Sequence, residues 1–209
     1  MITLKKDPLV LVLDYGFLVE PMYFKWHISP TETCMIRKSV AEKLVEAAKA
    51  LPESYNFKIW DGYRTTAVQK QLYDGFFAQK KEKHPDWNEA QLHQATSEFV
   101  SPPTTNPLIA APHNTGGTVD LTIVDRNGME LGMGTVFDHF DVEAHTLHYG
   151  NAKIGTPEFS YHKNRMTLFN ALTGVGFCNF PEEWWHFSYG DRVWAEHYGK
   201  EILYASCEM

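Results

Sequence analysis

The sequence predicts an α+β fold, a small and mainly antiparallel sheet flanked by helices, on three observations. TVDLTIVD and MELGM are joined by Asp125-Arg-Asn-Gly128, and FCNF and WWHFSY by Pro181-Glu-Glu, so two hairpins of neighbouring strands are expected. Apolar residues recur at helical spacing in several longer stretches. Those stretches stand before and between the hairpins instead of alternating one for one with strands, which argues against a parallel sheet. With 209 residues, 44% of them apolar, and no repeat or low-complexity tract, the chain can bury a substantial core, and a single domain over 1–209 is expected.

Each element has a local reason. In MITLKKDPLVLVLDYGFLVEP two lysines precede an apolar run in the manner of an export signal, but LVLVL is only five residues long and Asp14 interrupts it, so a first strand is the better reading. From Thr33 to about Leu51, the residues Ile36, Val40, Leu44, Ala47, Ala48 and Leu51 mark one helix face, with Thr31 or Thr33 as cap and Pro52 as stop. FKIWD (57–61) reads as a strand ending at the Asp61-Gly62 turn, followed by a helix over 65–81 through Val68, Leu72 and Phe76. Asn88 is an N-cap for a further helix to about Phe99. Four prolines and two glycines in 101–117 exclude a long regular element and mark an ordered loop. In TVDLTIVD, apolar Val119, Leu121 and Ile123 alternate with Thr118, Asp120 and Thr122, giving a strand with one apolar and one polar face. A polar, His-rich stretch (134–155) leads to a last helix from about Pro157 to Leu172, stopped by Gly174.

Composition narrows the function. A net charge of -7, with scattered lysines, gives no footing for nucleic acid, and no segment reaches the roughly 18 apolar residues of a membrane span. A small polar ligand or a peptide is the better partner. Cys34, Cys178 and Cys207 are odd in number and far apart, which argues against a disulfide framework and for a cytoplasmic location.

The chemistry lies in three segments. Asp120 sits on the polar face of its strand, and Gly116-Gly117 lets the preceding loop fold His113 back beside it. A catalytic zinc site wants three protein ligands and an open position, and His186 is the obvious third. Each residue alone also has a bland reading, a surface histidine or a solvated strand carboxylate. His139, His145 and His148 form a rival cluster, assigned to a solvated loop for want of a helical pattern or an acid at ligand spacing.

PHNTGGTVDLTI resembles the S-x-H-x-x-G-x-A-x-D signature of the zinc D,D-peptidases related to the hedgehog fold. EEWWHFSYG resembles their E-x-x-H element in the form seen in D-alanyl-D-alanine dipeptidases of the vancomycin-resistance type, while IWDGYR (59–64) and GTVFD (134–138) are similar to their D-G-Y-R and G-T-x-F-D. The matches follow the family's order across 59–190. The resemblance implies one Zn²⁺ per chain on His113, Asp120 and His186, with Glu183 as general base and Arg64 as stabiliser of the developing oxyanion. Glu182 competes for the role of base, but Glu183 has the family's spacing. Asp138 would bind the free ammonium of a D,D-dipeptide, and Trp184 and Trp185 would wall a dry site. Two positions depart from the pattern: Ala111 replaces the serine and Thr118 the alanine, the latter as either a supporting hydrogen bond or a strand-compatible change. A peptidoglycan stem carboxypeptidase or endolysin is the alternative enzyme, expected to carry an export signal or wall-binding module. A metal-stabilised binding protein is the alternative of another class, and it would need neither Glu183 nor Arg64.

Overall fold

The computed structural model describes residues 4–207. In chain order, β1 (Leu9–Leu11), β2 (Leu18–Val19) and the single-turn α1 (Met22–Lys25) precede β3 (Met35–Arg37), α2 (Lys38–Ala48), β4 (Tyr55–Asp61), α3 (Thr66–Lys83) and α4 (Glu89–Ser97). A long loop leads to β5 (Thr118–Asp125), then α5 (Pro157–Thr173), β6 (Cys178–Asn179), β7 (His186–Ser188) and α6 (Arg192–Tyr198). Five strands form a sheet in the order β2-β4-β5-β7-β6, parallel only between β2 and β4, and β1 pairs with β3 in a separate antiparallel ribbon. The α+β class and the mainly antiparallel sheet are as the sequence predicts.

Local signals place the helices well where capping is explicit. Thr65 accepts a hydrogen bond from the Val68 amide at the start of α3, and Asn88 and Gln91 form a reciprocal capping box on α4. The 33–51 segment differs from expectation. Met35–Arg37 is a strand, because Leu9–Leu11 offers it a backbone partner, and the helix starts only at Lys38. Neither Thr31 nor Thr33 caps that helix; Arg37 stands at its N-cap, without a side-chain cap. MELGM is not a strand either. A lone Val124–Glu130 bridge and a Leu131-to-Ile123 bond continue the turn before the backbone leaves the sheet.

The apolar face of the sheet, Phe57, Ile59, Val119, Leu121, Ile123 and Phe187, is wholly buried together with Val40 and Leu44 of α2 and Leu168 and Leu172 of α5. Burial of each such side chain stabilises by about 1.5–3 kcal/mol, so this face is the main source of the sheet's hydrophobic stabilisation. That second face is also buried, with Thr118, Asp120 and Thr122 at most 1% exposed.

Strand register then aligns chemistry. Asp120 of β5 lies opposite His186 of β7 on one side and Asp61 of β4 on the other. A β-bulge at Trp60 makes the second pairing: Ile59 pairs with Leu121 but Asp61 with Asp120, so two steps on β4 match one on β5. The extra residue moves Asp61 from the core face to the polar face, and Trp60 packs against Phe137 and Trp184.

Arg165 of α5 anchors the loop beyond the sheet. Arg165 is 1% exposed, and its guanidinium donates to the carbonyls of Met133, Glu143 and His145 at 2.7, 2.9 and 2.6 Å. Burial lowers its pKa to about 10, so it remains charged at neutral pH. Arg165→Leu leaves three carbonyls without their donor and should destabilise the fold by about 3 kcal/mol or more, read as a fall in the urea midpoint at unchanged slope; a change under about 0.5 kcal/mol would contradict this account.

Candidate active site

His113 sits on a 3-10 turn, Pro112–Thr115, ended by Gly116 at φ +72°, a left-handed conformation that glycine adopts without strain. Gly117 is required for space, since a Cβ there would lie 2.4 Å from the Tyr189 carbonyl oxygen. The turn is tied down by Asn114, whose amide donates to Arg64 O at 2.7 Å, and by Arg37, whose Nε donates to Thr115 O at 2.8 Å. His186 opens β7 directly after the tight 180–186 turn, which Asn179 clamps by donating to the carbonyls of Glu183 and His186 at 3.0 Å each.

These supports bring His113, Asp120 and His186 together with one ligand atom from each within 4.8 Å of the others. His186 Nδ1 is 3.0 Å from Asp120 Oδ1, and His113 Nε2 is 3.3 Å from Asp120 Oδ2. His113 Nδ1 lies 2.7 Å from Gly62 O, and donating there leaves the Nε2 lone pair facing the cluster. Asp120 Oδ1 is buried, and although His186 Nδ1 lies 3.0 Å away, it accepts no aligned hydrogen bond. Two imidazole nitrogens and an unsatisfied carboxylate oxygen converging on one point are a donor set that suits a divalent cation. Among the described residues, His139, His145 and His148 form no such group, and His145 and His148 are exposed.

Electrostatics agrees. Asp61, Asp120, Asp138 and Glu183 all lie close enough to interact with Arg64, four carboxyl groups against one guanidinium, so the site seeks positive charge. Burial and Arg64 oppose protonation of His113, but Asp120 and Asp61 prevail and raise it to about 9. Burial pushes the Asp120 carboxyl up, yet the adjacent His113 and His186 hold it far below the usual carboxylate range. Without a metal, a proton supplies the charge that the cluster wants.

Arg64 follows the DGYR turn, its side chain 10% exposed. It pairs with Asp61 through Nε and reaches Asp120 Oδ2 at 3.2 Å through one terminal nitrogen, while the other donates to Gln69 Oε1 at 3.3 Å. Glu183 is 8% exposed and lies 3.6 Å from His186 Nδ1, whereas Glu182 is exposed. Burial, then the charges of Asp120 and Asp138, raise the Glu183 pKa well above the ordinary value. Asp138 adopts φ +57°, a strained conformation for a residue with a side chain, and accepts from the Tyr23 hydroxyl at 2.8 Å. All of these face one cleft of about 730 Å³.

The sequence overlooked some of this apparatus. Asp61 holds both Arg64 and His113, the latter at 3.0 Å, and its signal was its place in DGYR. Tyr23 and Gln69 carried no local signal. Trp184 and Trp185 do not wall the cleft as expected. They lie in the core, where Trp184 Nε1 donates to Thr135 Oγ1 at 2.8 Å and Trp185 packs edge-on against Phe137. The cleft's aromatic walls beside Asp138 are Tyr23, Trp26 and Phe137. Thr118 bonds Asp191 Oδ2 at 2.7 Å, and Asp191 caps α6, so its hydroxyl ties β5 to that helix and not to Asp120.

A family model described as D-ala-D-ala dipeptidase matches residues 19–203. The chain belongs to this family of metallopeptidases. Within the D-Ala-D-Ala dipeptidase family, the D-alanyl-D-alanine dipeptidase of Synechocystis sp. is 31% identical over 182 residues, 79% of this chain and 73% of that protein. That of Enterococcus faecalis is 31% identical over 172 residues, 77% and 76% of the two chains. Among solved structures, the vancomycin-resistance D,D-pentapeptidase VanY of a VanB-type cassette, in complex with Zn(II), aligns over 97% of this chain and 95% of its own, with a TM-score of 0.49 and 17% identity.

Proposed function

We propose that the chain hydrolyses the peptide bond of D-Ala-D-Ala or a closely related D,D-dipeptide in the cytoplasm. The observation that carries the chemistry is the convergence of His113 Nε2, His186 Nδ1 and the unsatisfied Asp120 Oδ1 in a cleft that also presents Glu183 and Arg64. These three residues would hold one Zn²⁺, which when bound supplies Lewis acidity and a water of pKa about 7. Glu183 takes the proton from the attacking water and gives it to the leaving amine; the burial that raises its pKa helps it keep the proton between the two events. Arg64, held rigid by Asp61, Asp120 and Gln69, presents its guanidinium to the oxygen of the scissile carbonyl as charge develops there. Asp138, fixed by Tyr23, takes the substrate's free ammonium. The buried thiols Cys34 and Cys178, not joined in a disulfide, support the location.

Turnover of zinc-loaded protein against D-Ala-D-Ala, L-Ala-L-Ala and N-acetyl-D-Ala-D-Ala, side by side, tests the reading. An acylated substrate lacks the charge that Asp138 receives and leaves that carboxyl without its partner, so kcat/KM should fall by about 10²-fold or more. Asp138→Ala should narrow the gap by harming the free dipeptide more. Comparable values for free and acylated substrates in the wild type would promote the carboxypeptidase alternative.

Binding should also depend on pH. Burial, with Asp120 adding to it, raises Asp138 to about 7 against the opposing effects of Arg64 and Tyr23. A carboxyl with a raised pKa is neutral below that value, so KM for the free dipeptide should rise as pH falls through about 7. In the loaded site the inflection moves lower, because a dication resists protonation nearby. A KM that is flat between pH 5 and 8, or that rises with pH, would remove Asp138 from this role.

A further inference from the structure

The cleft extends well past the residues given roles above. Leu72, Gly75, Phe76 and Gln79 of α3 line it at helical spacing, so the wall runs from Gln69 beside Arg64 to Gln79, ten residues or about 15 Å of helix. Two peptide residues fully extended span only about 7 Å. Beyond the charged end the lining is aromatic: Phe76, Phe99 and Phe140 meet one another with ring centroids 5.0–5.9 Å apart, all partly exposed to the cleft. The Lys80 ammonium lies over Phe76 and Phe99, 5.0 and 4.9 Å from their ring centroids.

Gly75 is the informative residue. It stands in the interior of an 18-residue helix, where glycine is less favourable than any residue except proline. Its φ is not left-handed, and a Cβ added there would meet nothing within 4 Å, so neither backbone conformation nor packing asks for glycine. What its missing side chain does is leave this stretch of the α3 wall low and open, next in sequence to Phe76 of the aromatic trio.

We propose that this recess is a side-chain subsite of the active centre, which receives a bulky apolar side chain on the leaving residue of the dipeptide. The inference rests on the dipeptidase reading. The ammonium-bearing residue is confined by Tyr23, Trp26 and Phe137 around Asp138, with Tyr23–Phe137 and Trp26–Phe137 centroids both at 5.8 Å. The residue across the scissile bond is the one left to face the α3 wall. A methyl group leaves the recess filled with water, whereas a phenyl or isobutyl group displaces that water and packs against the apolar faces of Phe76, Phe99 and Phe140 left open beside the Lys80 ammonium.

Zinc-loaded wild-type protein should therefore hydrolyse D-Ala-D-Phe and D-Ala-D-Leu with kcat/KM about tenfold or more above D-Ala-D-Ala. Gly75→Leu fills the recess with a good helix former, so the fold is favoured, and it should lower the D-Ala-D-Phe to D-Ala-D-Ala ratio at least tenfold. Phe76→Ala should lower the same ratio through KM, and a melting curve checks that it folds. Turnover of D-Ala-D-Ala without preference for D-Ala-D-Phe, or a Gly75→Leu variant with the wild-type ratio, would overturn the subsite and leave the dipeptidase reading standing. Failure to cleave any free D,D-dipeptide would overturn that reading itself.

Discussion

Glu183→Gln should lower kcat by about 10³-fold or more while zinc content stays at the wild-type level, and Glu182→Gln should leave kcat within about twofold. The contrast follows from position. Glu183 points into the cleft, 8% exposed and 3.6 Å from the ring nitrogen of His186, but it is not one of the three groups whose ligand atoms converge. Its neighbour Glu182 is exposed on the turn. Glutamine keeps the size and buries no charge, so a folding defect is not expected, and only the capacity to take and return a proton is lost. General acid–base catalysis contributes about 10²–10⁴-fold, and one group serving both transfers belongs at the upper part of that range. Metal content by mass spectrometry beside steady-state turnover checks the claim. Loss of zinc together with activity would make Glu183 a ligand, and a silent Glu183→Gln would mean the wrong carboxylate was chosen.

The parts of the molecule that were legible in the sequence are those with a local cause. The alternation in TVDLTIVD, the helical spacing of Val68, Leu72 and Phe76, the N-cap Asn88, and Gly116-Gly117 each act within a few residues of themselves, and the structure shows the strand, both helices and the turn. The Met35–Arg37 strand was hidden because its partner is Leu9–Leu11, more than twenty residues away; the helical spacing of Ile36 with Val40 describes a face equally buried in either conformation. His113, Asp120 and His186 could be nominated from motif and chemistry, but their convergence is a matter of register, Asp120 opposite His186 across β5 and β7. Asp61 shows the limit most clearly. In a regular ladder it would point into the core, and only the bulge at Trp60, which depends on how two distant strands pair, turns it toward Arg64 and His113.

Chelation should abolish turnover completely and leave the fold in place, and added zinc should restore activity. The alternatives differ on this point, because a protein whose metal is structural unfolds when the metal is removed. Here His113, Asp120 and His186 are held in place without it. Asp120 and His186 are locked opposite each other by the β5–β7 pairing, and His113 by a turn that bonds Gly62, Arg64 and Arg37. The apolar face of the sheet, closed by α2 and α5, lies on the other side and shares none of these groups. The metal-free cluster is also partly neutralised from within, since Asp120 has Arg64 at 3.2 Å and a raised His113 at 3.3 Å to offset its charge. Far-UV circular dichroism should therefore be unchanged by chelator, with a fall in Tm that zinc reverses in proportion to its free concentration. His186→Ala should abolish zinc binding and turnover together, and the double variant His145→Ala/His148→Ala should affect neither. Unfolding on chelation would favour the metal-stabilised binding protein. Equal zinc content in the wild type and in His113→Ala, Asp120→Ala and His186→Ala would place the metal elsewhere.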